Sequence, residues 1–170
     1  MGDSSIPVHL TSLLRHFSDL RDGVHGGAAS RHDKEARFAE EVELLSPVAR
    51  QALSEVNTYL LLDSGAVSET GLQRSPDGGM SAAWELSWPE QRDVRVPPVT
   101  LHAYFGAGFH HPHLRGATVG DWPLNVFSVQ DASDQLPILR AIATSDLHNL
   151  VFQSDYRIIP AVTRPYRAGS

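Results

Sequence analysis

Two stretches of alternating apolar and polar residues constrain the fold of this chain more than any other feature. They are AAWELSW at residues 82–88 and VTLHAYF at residues 99–105. A period of two is typical of strands that bury one face and leave the other in contact with water. We therefore predict two adjacent antiparallel strands, and we place Trp84, Leu86 and Leu101 in the core.

Helical spacing occurs on both sides of these strands. Leucines and a phenylalanine at intervals of three and four predict an amphipathic helix over residues 6–21, and the glycine-rich residues 22–30 predict a flexible connection. Residues 31–45 and 46–62 predict two more helices, because a serine-proline pair opens the second like an N-cap followed by proline. Residues 134–152 predict the last helix.

The order of these elements predicts an α+β protein with N-terminal helices, a small antiparallel sheet, a histidine-rich loop and a C-terminal helix. We expect an N-terminal helix with its connection over residues 1–30, a single α+β domain over 31–160, and a tail over 161–170. A chain of 170 residues is long enough for one such core.

The composition narrows the classes of partner. The formal net charge of −6 argues against nucleic acid, because phosphate binding requires a basic surface. The sequence shows neither an apolar run of membrane-spanning length nor a secretion signal at its start, so we expect no membrane contact. Together with the absence of cysteine, this predicts a cytoplasmic protein that binds a protein partner or a small-molecule substrate.

The absence of cysteine also limits the chemistry. With no cysteine among 170 residues, disulfides, thiolate metal sites and cysteine nucleophiles are excluded. Any metal site must use histidine, aspartate or glutamate. The acidic run Glu40, Glu41 and Glu43 predicts a solvated helix face.

The stretch GFHHPHLRG at residues 108–116 holds the strongest candidates for a functional site. As an H-x-H pair on an extended segment, His111 and His113 suit Zn²⁺ or Fe²⁺, with His148 as the third ligand. His110, His102 and Asp121 are other candidates for that third position. Under this hypothesis the chain is a small metalloenzyme, and its metal activates water or dioxygen.

Two other interpretations of the loop stay open. The loop either is a structural or partner-binding turn, or carries metal-free acid–base chemistry with His111, His113 and Asp121 as catalytic residues. In each case we expect binding contacts from neighbouring side chains. Arg115 is suited to bind a carboxylate or phosphate group, and Trp122 is suited to form the wall of a pocket. The other two candidate binding residues are His110 and Tyr104.

Residues 78–115 also carry a set of motifs in a characteristic order. The motifs are, in order, a glycine pair in a turn (Gly78-Gly79), a strand that ends in proline (WELSWPEQ), a proline pair (Pro97-Pro98), a second strand (VTLHAYF) and a His-Pro motif (His111-Pro112-His113). This order resembles the core of the ubiquitin-conjugating-enzyme (E2) and RWD-like superfamily. The resemblance implies helices before and after the loop, and an inward His111 ring that hydrogen-bonds within it.

Two departures from that family bear on activity. His113 stands where the family has asparagine, and the following GATVGDWPLNV lacks the family's catalytic cysteine. The resemblance therefore implies an E2/RWD-like interaction module without transfer activity, and the histidine-based metalloenzyme is the alternative.

Overall fold

The computed structural model describes residues 5–164 of the chain. This part contains six α-helices, one 3-10 helix and six strands. In chain order they are α1 Val8–Asp22, α2 Arg31–Tyr59, β1 Ala66–Glu69, β2 Gln73–Arg74, β3 Met80–Ser87, α3 Pro89–Asp93, β4 Val99–Phe105, β5 His113–Arg115, β6 Trp122–Pro123, α4 Val129–Asp134, α5 Leu136–Gln153, the 3-10 helix Tyr156–Ile158 and α6 Pro160–Thr163. The predicted α+β class, with helices at both ends and a small antiparallel sheet, is confirmed.

The strands form one antiparallel sheet with the order β1-β3-β4-β5-β6, and β2 pairs with the other end of β3. The centre of the sheet is the long β3–β4 pair, in which Trp84 lies opposite Leu101. The prediction that the two alternating stretches form adjacent antiparallel strands is confirmed.

The sheet buries one face only, as the alternation predicts. Along β3 and β4, fully buried residues alternate with half-buried ones. Trp84, Leu86 and Leu101 are at most 1% exposed, which confirms their place in the core. Helices α2 and α5 contribute the opposing apolar side chains, so the core lies between these two helices and the inner face of the sheet.

Helix α2 is a single helix of 29 residues, and the predicted break at the serine-proline pair is wrong. Pro47 removes one backbone hydrogen bond, but Leu45, Ala49 and Leu53 on either side of it are fully buried on the same face. Because this buried face extends on both sides of the proline, the helix continues through it. Ser46 does not act as a cap; its hydroxyl accepts a hydrogen bond from the Trp84 indole at 3.1 Å.

The N-terminal segment is folded against the domain. His16 of α1 is buried, and the connection after α1 contains a β-bridge between His25 and Ala28, both of which are also buried. In the predicted tail, residues 161–164 lie in or next to α6. The rest of that tail, residues 165–170, and residues 1–4 of the N-terminal segment fall outside the described residues. Within the described range, no helix is long and apolar enough to cross a membrane.

Candidate functional site

The N-terminus of α2 fixes the histidine loop between β4 and β5. Arg31 donates hydrogen bonds to the carbonyl oxygens of Gly106 at 3.1 Å and Phe109 at 3.0 Å. The ammonium group of Lys34 donates to the carbonyl of His110 at 3.3 Å. Basic side chains on the first turn of a helix therefore satisfy loop carbonyls that the sheet leaves unpaired.

The ring of His111 points into the protein. It is 3% exposed, and its centroid lies 5.2 Å from that of His16 and 5.7 Å from that of His25. We call His16, His25 and His111 the buried histidine cluster. The Nδ1 atoms of all three rings are buried and lack a hydrogen-bond partner within residues 5–164. Unpartnered buried nitrogens favour the neutral form of each ring.

A carboxyl group lies at the inner end of this cluster. Glu41 of α2 is fully buried, hydrogen-bonds with Nε2 of His25, and accepts a hydrogen bond from the backbone N–H of Val126 at 2.9 Å. Burial raises the pKa of Glu41 well above its ordinary value, and burial lowers the pKa of His25 to about 4. The shared proton therefore resides on Glu41, which donates it to a neutral His25.

The other two histidines of the cluster are also held neutral. Burial, together with the neighbouring His16 and His25, lowers the pKa of His111 to about 4. Burial is likewise the main cause of the lowered pKa of His16, followed by the nearby His113. At neutral pH the cluster is an uncharged polar contact between α1, the connection and the loop.

The ring of His113 is half-buried and also borders His16. Its Nδ1 lies 3.0 Å from the carbonyl oxygen of His111, so the ring that hydrogen-bonds within the loop is His113 and not His111 as the resemblance implies. The reason is that the inward His111 ring reaches only other side chains. The His113 centroid lies 5.7 Å from His16 and 6.1 Å from Tyr104. It stands between the buried cluster and the solvent-facing side of the sheet.

Four polar side chains meet on that outer side, where β4 pairs with β5. We call His102, Tyr104, Arg115 and Asp121 the β4–β5 patch. The guanidinium carbon of Arg115 lies 4.4 Å from the Tyr104 ring centroid, and its Nε donates to Nδ1 of His102 at 3.1 Å. The Tyr104 hydroxyl donates to Asp121. Burial and this hydrogen bond raise the pKa of Tyr104 to about 12, so its phenol stays protonated.

An open groove of about 560 Å³ adjoins the patch, lined by His102, Thr100, Arg115, Asp121 and the loop 116–120. Asp146 of α5 fixes its floor. This fully buried carboxylate accepts hydrogen bonds from the Thr100 N–H at 3.0 Å and from the Thr118 N–H and hydroxyl at 2.7 and 2.6 Å. One side chain therefore joins β4, the groove loop and α5.

The structure brings some of the predicted site residues together and separates others. Tyr104, His113, Arg115 and Asp121 lie near one another on the outer face of the sheet. His111 faces the core, and the exposed His110 contacts Lys34 through its carbonyl. Trp122 is half-buried on β6, and its indole nitrogen has no hydrogen-bond partner among residues 5–164.

The predicted metal ligands do not converge. His148 lies exposed on α5, where it contacts Asn149, whereas His111 is buried beside His16 and His25. Between residues 5 and 164, no group of three or more histidine, aspartate or glutamate side chains is placed to hold a metal ion. The geometry thus gives the metalloenzyme hypothesis no ligand set.

Sequence reasoning missed the inner half of this site. His16 and His25 are far from the loop in sequence, so nothing local points to their contact with His111. Glu41 was predicted to be solvated, and that is wrong because it lies three residues after Phe38 and four before Leu45, on the buried face of α2. That spacing was the signal that could have placed it.

Comparison of the chain with models of protein families, with curated proteins and with solved structures gives no match.

Proposed function

We propose that the chain is a cysteine-less E2/RWD-like module that binds a protein partner through the β4–β5 patch and performs no transfer reaction. The observation that carries this proposal is the arrangement of Arg115, which lies over Tyr104 and donates to His102 on the exposed side of the sheet. Tyrosine and arginine are enriched among the residues that dominate binding energy at protein interfaces.

The patch is organised before any partner arrives. Tyr104 is held at its hydroxyl by Asp121 and over its ring by Arg115, so binding costs little side-chain entropy. Within the described range no carboxylate forms an ion pair with Arg115, which leaves its terminal nitrogens for an acceptor on the partner. The adjoining groove gives space for an extended segment or a side chain.

The arrangement of elements also supports the E2/RWD-like part of the proposal. Helix α2 is followed by the antiparallel meander of β1, β3 and β4, then by the HHPH loop, and later by a second long helix, α5. The segment after the loop, in which the family carries its cysteine, supplies none here. We place the protein in the cytoplasm for the reasons that its sequence gives.

The test compares Arg115→Ala with the control Arg157→Ala, which alters an exposed arginine that pairs with the nearby Asp155. Proteins captured from a lysate of the expressing cells are quantified by mass spectrometry, and the partner is then purified for calorimetry. We expect Arg115→Ala to weaken binding about tenfold or more and the control to stay within about twofold.

Metal content, measured on untagged protein, separates this proposal from the metalloenzyme alternative. Near-stoichiometric zinc or iron that is lost in both His111→Ala and His113→Ala overturns the interaction module. Unchanged capture by Arg115→Ala overturns the assignment of the binding surface to the β4–β5 patch.

A further inference from the structure

A cavity of about 110 Å³ lies between α1 and α4. Polar side chains dominate its lining, which includes Ser12, Arg15, Asn125, Asp131, Asp134 and Gln135. These residues come from α1, from the segment after β6, from α4 and from the residue that joins α4 to α5. The cavity shares no lining residue with the groove beside the β4–β5 patch, so the inference does not depend on the proposed function.

Three oxygen atoms in the side chains that line this cavity are buried without a hydrogen-bond partner. Within residues 5–164 they are the hydroxyl oxygen of Ser12, Oδ1 of Asn125 and Oε1 of Gln135. Asn125 is 2% exposed and Gln135 is 4% exposed. The Asn125 amide is oriented by its Nδ2, which donates to the Ser12 carbonyl at 3.5 Å. Unpaired buried acceptors cost stability, so three of them around one cavity point to a ligand that donates hydrogen bonds.

The charges around the cavity favour a cation. Asp131 forms an ion pair with Arg15 at 3.1 Å and accepts a hydrogen bond from the Phe127 N–H at 3.0 Å. Asp134 accepts a hydrogen bond from the amide of the exposed Gln130 at 2.9 Å, and no basic side chain among the described residues forms an ion pair with it. Two carboxylates and one guanidinium therefore leave one negative charge in the lining.

We propose that this cavity binds the ammonium group of a small primary amine. An alkylammonium has three N–H donors, which match the three unpaired oxygens, and its positive charge matches the carboxylate of Asp134. The volume sets the size of the ligand. A cavity of about 150 Å³ holds benzene with its six non-hydrogen atoms, so about 110 Å³ accommodates about four, as in propylammonium. Val8 also lines the cavity and gives the alkyl chain an apolar contact.

Other small ligands match the cavity less well. An oxygen-only lining also suits Ca²⁺, but Ca²⁺ takes about six to eight oxygen ligands, carboxylates prominent among them. Here Arg15 neutralises one of the two carboxylates and brings a guanidinium group to the lining. An anion is disfavoured because the unpaired atoms are acceptors and because Asp134 repels it.

An NMR titration of the full chain with propylammonium tests the proposal. The side-chain amide signals of Asn125 and Gln135 report on the cavity directly. We expect them to shift and to saturate with a Kd on the order of 1 mM, because four non-hydrogen atoms limit the affinity. Tetramethylammonium has the same charge but no N–H donor, and should leave these signals unchanged. Equal shifts with both cations, or no shift at about 50 mM propylammonium, overturns the proposal.

Two variants separate charge from hydrogen bonding, with the Asn125 signal as the readout. Asp134→Asn removes the charge, and Gln135→Met removes one unpaired oxygen at similar side-chain size. We expect each to weaken propylammonium binding about tenfold or more. The matched control Asp93→Asn removes an exposed carboxylate on α3 and should change the Kd by less than about twofold. An unchanged Kd in both variants overturns the site.

Thermal unfolding without amine distinguishes loss of the site from loss of the fold. Gln135→Met should be at least as stable as the wild type, because it removes an unpaired polar group from the interior. A variant that keeps its fold and loses propylammonium binding supports a ligand site. If Gln135→Met instead unfolds more easily than Asp93→Asn, the Gln135 amide is already satisfied within the protein, which overturns the proposal.

Two further titrations test the class of the ligand. Nα-acetyl-lysine amide carries the same ammonium group on a protein side chain, but its backbone does not fit a cavity of about 110 Å³. We therefore expect it to bind more weakly than propylammonium. Tighter binding would make the occupant a lysine of a partner protein and overturns the small amine. Stoichiometric binding of Ca²⁺ at the same amide signals, with displacement of propylammonium, also overturns it.

Discussion

Nδ1 of His113 donates a hydrogen bond to the carbonyl oxygen of His111 across 3.0 Å, and both rings border that of His16, with centroid distances of 5.2 Å for His111 and 5.7 Å for His113. Because a carbonyl oxygen only accepts, Nδ1 of His113 carries the ring proton. His111 is left to pack against His16 and His25 in the interior, whereas His113 borders Tyr104 on the outside. The loop therefore connects the buried histidine cluster with the β4–β5 patch on the outer face of the sheet.

The two histidines of the loop should respond differently to truncation. His113→Ala removes one half-exposed hydrogen bond, which is worth about 0.5–1.5 kcal/mol. His111→Ala leaves a cavity beside His16 and His25, and we expect it to cost at least about 1 kcal/mol more. Urea denaturation at pH 7.5 measures both free energies of unfolding. Equal losses would contradict the inward position of His111.

Acid should destabilise the fold through His111. Its pKa is about 4 in the folded protein against 6.5 ordinarily, so only the unfolded chain takes up this proton near pH 5. The stability gained from the neutral ring is fully present above pH 6.5 and is lost as the pH falls towards 4. Between pH 7.5 and pH 5 the loss is about 2 kcal/mol.

The variant His111→Asn isolates this contribution, because asparagine does not titrate in this range. Free energies of unfolding at pH 7.5 and pH 5 should fall by about 2 kcal/mol more in the wild type than in His111→Asn. Parallel pH profiles for the two proteins would show that His111 is accessible to protons in the folded state.

The protonated carboxyl of Glu41 predicts a pH dependence of opposite sign. Its raised folded-state pKa gives stability that is present below the ordinary value of 4.5 and is lost as the pH rises through the folded-state value. Glutamine keeps both hydrogen bonds, to His25 and from Val126, without needing a proton. We therefore expect Glu41→Gln to lose less stability than the wild type between pH 5 and pH 8.

Glu41→Ala separates hydrogen bonding from charge. It leaves His25 and the Val126 N–H unpaired in the core, at about 1–3 kcal/mol for each group. The control Glu40→Gln changes the adjacent, exposed carboxyl and should have little effect. If Glu41→Gln at pH 7 is as destabilising as Glu41→Ala, the proton does not reside on Glu41.

Arg31 should govern the order of the histidine loop. Its Nη1 donates to the carbonyls of Gly106 and Phe109, its Nη2 donates to the carbonyl of Phe105 at 3.3 Å, and its guanidinium carbon lies 3.6 Å from the centroid of the Phe105 ring. A lysine has one compact ammonium group and cannot reproduce this contact. We expect Arg31→Lys to cost about 1–2 kcal/mol and to speed amide exchange at residues 106–111. The exposed Arg37→Lys should leave that exchange unchanged.

Local pattern was enough to predict the central β3–β4 pair of the sheet, and it was insufficient for the site. The alternation of β3 and β4 reflects burial of one face, which depends only on neighbouring residues in sequence. The position of His25 depends on how the connection after α1 folds back onto α2, which no short window encodes. Pro47 shows the same limit, because a buried face that spans the proline outweighs its local preference to begin a helix.

The sheet also determines how this molecule avoids uncontrolled self-association. An exposed strand edge invites pairing with other chains, but here one edge is β1 and β2, of four and two residues, and the other is the two-residue β6. β6 ends in Pro123, which has no backbone N–H to offer. Strand-by-strand growth into aggregates is therefore blocked at both edges, and specific contacts are left to the faces and helices.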